Sequence, residues 1–152
     1  MKKITVFISS LFFCSFTYAE LLYCLILSDA IIDFDGNEVE SYVYVAEDAH
    51  SPESWFELDL TANTTSYFWS EEDGTKDMDT EKLTKVSDYF YYGTMVDSEN
   101  QIVGYSAFIL ESNRRTGHLA ESGYFAKFKC TSQSQKEIEM FYNMSFAPYY
   151  NN

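Results

Sequence analysis

This chain of 152 residues has little of what the best-marked chemistries require. Two Pro and six Gly are too few for a collagen-like, Pro-rich or Gly-rich flexible chain. The two histidines, His50 and His118, stand far apart, and there is no Cys-x-x-Cys or His-Glu-x-x-His spacing to hold a metal. A Gly-rich phosphate loop and a Gly-x-Ser-x-Gly elbow are also missing. No cofactor or metal is therefore expected, and the chain reads as a binding protein, not an enzyme. Paired carboxylates carry no weight at this level, because 24 acids supply a close pair in any fold.

Positive charge is scarce too. Ten Lys and Arg face 24 Asp and Glu, for a net charge of −14. Nucleic acid and anionic membrane surfaces are held by cationic faces, so neither is an expected partner. Such acidity fits solubility or a basic protein partner.

Long apolar runs are limited to the N-terminus. Lys2 and Lys3 precede a largely apolar stretch, Ile4 to Phe16, and Thr17-Tyr18-Ala19 ends in a small residue. The stretch falls short of the ~18 residues of a membrane span and has the layout of a secretory signal. Residues 1–19 are thus expected to be removed, leaving 20–152 as a single β domain, exported to the periplasm or outside the cell. Removal takes two lysines and Cys14 but no acid, so the processed chain is two units more negative and keeps two cysteines. In an exported protein such a pair predicts a disulfide, Cys24 to Cys130.

Aromatic residues are plentiful, 18% of the chain, and sit in short segments between turn clusters. Leu21 to Phe34 reads as a strand, with a hairpin turn at Asp35-Gly36-Asn37 and a return over Glu38 to Ala46. From Trp55 to Ala62, Phe56, Leu58, Leu60 and Ala62 fall on one face and Glu57, Asp59 and Thr61 on a wet one with Trp55. Thr64 to Ser70, Tyr89 to Val96, Gln101 to Leu110 and His118 to Cys130 continue the series. Ile138, Met140, Tyr142, Met144 and Phe146 alternate as a last strand, and Asp77 to Ser87 is the one expected helical turn. The pattern predicts an all-β fold, a small antiparallel barrel or sandwich of about seven to eight strands with at most one short helix. Glu57, Asp59, Lys127 and Lys129 interrupt the apolar band that a membrane barrel needs, so no stable membrane insertion is expected.

Two groups are candidate binding residues. Tyr91 and Tyr92, in the run Tyr89-Phe90-Tyr91-Tyr92, could join Trp55 and Trp69 in an aromatic platform; core and cross-strand pairing is the commoner use of such residues. Arg114, Arg115 and His118, with Lys127 and Lys129, concentrate positive charge in one hairpin. That patch could hold an anion or pair with the chain's own carboxylates.

At this hairpin Asn113-Arg114-x-Thr116-Gly117-x-Leu119, followed by Gly123 and Cys130, resembles a pattern near the C-terminus of small exported proteobacterial proteins of unknown function. Tyr23-Cys24 resembles their first cysteine, and also the Tyr-x-Cys opening of the periplasmic lysozyme-inhibitor family, small acidic β-barrels with a disulfide. The Ser-Gly-x-x-Tyr loop of those inhibitors is missing; Ser122-Gly123-Tyr124 has different spacing. The resemblance implies an exported β-barrel with no catalytic residues to carry over. The expected function is binding without catalysis, as an inhibitor or immunity-type protein for a cationic enzyme. The alternative is a carrier of small apolar ligands inside a barrel.

Overall fold

The computed structural model describes residues 20–32, 39–43, 51–96, 99–121 and 123–151. Its strands are β1 (Leu21–Ile32), β2 (Val39–Val43), β3 (Trp55–Asp59), β4 (Thr64–Ser70), β5 (Lys76–Ser87), β6 (Phe90–Val96), β7 (Ile102–Leu110), β8 (Thr116–Glu121) and β9 (Tyr124–Thr131); α1 (Gln135–Tyr142) and the single turn α2 (Ala147–Tyr150) follow. Each strand from β3 to β9 pairs antiparallel with the next, and β9 returns to β1. β1 meets β3 through Leu21–Leu25 on one edge and β9 on the other, which closes an eight-stranded barrel. β2 is an extra strand alongside Ser28–Ile32 of β1. Closure satisfies the edge hydrogen bonds that an open sheet would leave exposed.

The predicted alternation is what fills the barrel. Leu22 and Cys24 of β1, Phe56 and Leu58 of β3, Phe108 and Leu110 of β7, Leu119 of β8 and Ala126 and Phe128 of β9 form one buried cluster. Phe56 stands edge-on to Phe128 with ring centroids 5.2 Å apart, and 5.8 Å from Phe108. Each such buried ring contributes about 1.5–3 kcal/mol. Cys24 and Cys130 are directly opposed in the β1–β9 register and form a disulfide across the closing seam.

Four expectations need correction. His118 to Cys130, read as one strand, is two, β8 and β9, which pair with each other across a turn that contains Gly123 at φ 77°. The segment from Ile138 onward is helical, because Ser134 and Glu137 make a reciprocal capping box at the start of α1 and Asn143, at φ 52°, ends it. Its alternation is incidental, since Ile138 is buried and Met140 is 75% exposed. Residues 77–87 lie in β5, where ladders to β4 and β6 on both sides override a weak local helical preference. The outer face of β3 is not wet, because Tyr23, Trp55, Phe68, Ile138, Met144, Phe146 and Tyr149 pack into a second cluster between the sheet and the C-terminal helices. The hairpin of β6 and β7 is as expected, from Phe90 opposite Ile109 to Val96 opposite Ile102. The turn at 35–37 and His50 lie outside the described residues.

Candidate functional site

The two ends of the barrel differ chemically. Its lower end carries Glu20, the β3–β4 turn, the β5–β6 turn and the β7–β8 hairpin, and its upper end the β4–β5 and β8–β9 turns.

Above the phenylalanines the interior turns polar. Ser106 faces inward on β7 and donates to Glu81 Oε2 at 2.9 Å, while the Tyr67 hydroxyl donates to Glu121 Oε1 at 3.0 Å. Gly93 makes room for Glu81, since a Cβ there would stand 2.1 Å from Glu81 Oε1. Burial raises the pKa of Glu121, against the Tyr67 hydrogen bond that lowers it. Burial also raises Glu81, helped by the charges of Glu121 and Asp79 and opposed by Ser106. Tyr67 is held protonated far above the usual phenol range, by burial first and Glu121 second.

Glu121 also borders a concavity, or notch, in the barrel wall. β8 pairs with β7 only from Ala120 opposite Ala107 downward, so Ile102–Tyr105 extends beyond it. The concavity, about 450 Å³, sits there, lined by Ile102, Val103, Gly104, Tyr105, Ala120 and Glu121. Val103 and Tyr105 are 62% and 61% exposed, with Val96 and Ile102 exposed beside them. The β4–β5 hairpin adds exposed Glu71, Glu72, Asp73, Asp77 and Asp79 at the same end.

The residues singled out from sequence do not gather. Tyr91 lies wholly buried in the barrel and Tyr92 faces out from β6. Trp55 is buried on the opposite side of the wall against Tyr142, 5.5 Å between rings, and Trp69 donates its indole N–H to Glu71 at 2.7 Å. The aromatic platform is therefore not formed; Tyr91 and Trp55 went to two different cores. His118 stacks on Phe125 on the outer face, 5.5 Å apart. Arg114, at φ 54°, forms an ion pair of 3.0 Å with Glu20. Arg115 is half-buried, in a turn where the Asn113 side chain accepts from the N–H groups of Arg115 and Thr116. Part of the basic hairpin thus pairs with the chain's own carboxylate.

Sequence reasoning missed Glu81 and Glu121, which are hidden among many acids. The available signal was Gly93, a glycine inside a strand, which marks a close approach. It also missed Glu57, half-buried under the C-terminal helix, where it accepts from the Tyr150 hydroxyl. Burial raises Glu57, while hydrogen bonds from Tyr150 and Tyr23 oppose the rise; Tyr23 in turn is pushed up to about 12 by burial and by Glu57.

Among the described residues no group of three His, Cys, Asp or Glu is arranged to hold a metal ion, and no helix is long and apolar enough to cross a membrane. Comparison with protein-family models, curated proteins and solved structures finds no match.

Proposed function

We propose that this is an exported binding protein without catalysis whose partner is a basic protein, seated on the upper end of the barrel. The observation that carries the reading is the union, at the wall notch, of the Glu121 carboxylate with an uncovered apolar rim of Val96, Ile102, Val103 and Tyr105. Interfaces combine an apolar centre with a polar surround in this way. A lysine or arginine of the partner reaches Glu121 through the notch, and the acids of the β4–β5 hairpin speed the encounter. The disulfide is compatible with an oxidising compartment.

An apolar carrier receives less support, because Phe56, Phe108, Phe128 and Tyr91 occupy the space such a ligand needs. Acid–base catalysis by Glu81 and Glu121 is also less favoured. That chemistry needs two carboxyls pushed apart in pKa, whereas burial moves these two in the same direction.

The test is retention of a panel of purified basic proteins on the immobilised oxidised protein at low and high salt. At least one is expected to bind at low salt, dissociate at high salt, and lose about tenfold in affinity with Glu121→Gln or Val103→Asp. Binding untouched by both substitutions would overturn the reading.

A further inference from the structure

We propose that the lower end of the barrel, opposite the notch, is a binding site for a phosphate or sulfate group, held by Arg114, Arg115 and Lys85 beside the Tyr91 hydroxyl. Tyr91 is 0% exposed and its hydroxyl has no hydrogen-bond partner. Arg114 Nε and Arg115 Nη1 are likewise buried and unpartnered. A guanidinium carries only donors and keeps its charge at any physiological pH, so what it lacks is an acceptor, and preferably an anionic one.

Register brings these groups to one end. Lys85 is directly opposite Tyr91 in the β5–β6 ladder, with its ammonium 6.0 Å from the ring centroid. Arg114 is close enough to Lys85 and Asp88 to act on the titration of both. Arg115 immediately precedes β8, two residues before the inward Gly117, and its carbonyl accepts from the N–H of Cys130, an inward residue of β9.

The charge balance sets the class of ligand. Asp88 pairs with Lys85 at 2.7 Å and Glu20 with Arg114 at 3.0 Å. Among the described residues Arg115 has no carboxylate within ion-pair distance, so its own charge is left unpaired there. A tetrahedral oxyanion balances that charge and supplies enough acceptor oxygens for several donors at once, which a neutral molecule does not. Such a site lies apart from Glu121, and its failure would leave the basic-partner reading untouched.

The experiment is thermal unfolding of the oxidised protein in sodium phosphate, sodium sulfate and sodium chloride at matched ionic strength. Phosphate and sulfate are expected to raise the midpoint saturably above chloride. Arg115→Gln and Tyr91→Phe should each weaken that response about tenfold. Arg114→Gly keeps the hairpin, because glycine accepts the positive φ more easily than arginine, yet should weaken it as well. Glycerol phosphate then distinguishes the source: a tighter response than to inorganic phosphate assigns the group to a larger molecule, and an equal or weaker one assigns the free ion. Equal midpoints in all three salts, or a phosphate response intact in all three variants, would overturn the proposal.

Discussion

Replacing both Cys24 and Cys130 by Ala tests the physics of the barrel most directly. The two residues are opposed on the first and last strands of the ring, 106 residues apart in sequence. Cross-linking a loop of that length removes unfolded-state entropy worth about 4–5 kcal/mol. Native pairing of β1 with β9 survives without the bond, since the ladder runs from Tyr23 to Ile31 on one side and Tyr124 to Thr131 on the other. The loss therefore falls mainly on the unfolded state, with a smaller packing loss from two buried sulfurs. For a chain of this size the unfolding midpoint should drop by roughly 10–20 °C. In urea, the double variant should lose stability and show a steeper denaturant dependence, because its unfolded chain exposes more surface. A stability change below about 1 kcal/mol with an unchanged slope would refute the idea that the bond constrains the unfolded chain.

Glu57, Glu81 and Glu121 all have folded-state pKa values raised by burial. Each binds its proton more tightly when folded, so stability should rise as pH falls from neutral through the raised values toward the ordinary carboxyl range. Midpoints at pH 7 and pH 5 measure this, Glu81→Gln with Glu121→Gln should flatten the trend, and lower stability at pH 5 in the wild type would contradict it. Gly117→Ala places a Cβ 2.5 Å from the Ile109 carbonyl oxygen and 2.6 Å from the Phe128 ring, and should cost at least about 1–3 kcal/mol in chemical denaturation. A neutral result would mean that the β7–β8 wall is looser than described. Ser134→Ala removes half of the α1 capping box and should cost about 0.5–2 kcal/mol. No loss in urea unfolding would argue that α1 is not held by its cap.

Much of the barrel was legible because a strand with one dry face must alternate. Phe56, Leu58 and Leu60 were placed on the core face from order alone, as was the β6–β7 hairpin, and counting cysteines paired Cys24 with Cys130. β5 was illegible for the opposite reason. Its inward positions include Glu81 as well as Leu83, so the period of two carries no apolar signal until β4 and β6 supply the ladders. The C-terminal segment misled because five apolar residues at alternate positions outweighed a two-residue cap, Ser134 and Glu137, whose effect is local.

What the sequence determined by itself is what depends on composition and short-range order: an acidic chain, an all-β pattern, a cysteine pair and the absence of the common catalytic motifs. Only the tertiary structure decided which charges act together. Glu81 and Glu121 are 40 positions apart, yet β-sheet closure brings both into one polar interior, raises both by excluding water, and opens a notch beside Glu121. The same closure sets Lys85, Tyr91, Arg114 and Arg115 at the other end. Register and burial, which no local pattern encodes, bring scattered side chains into these two groups.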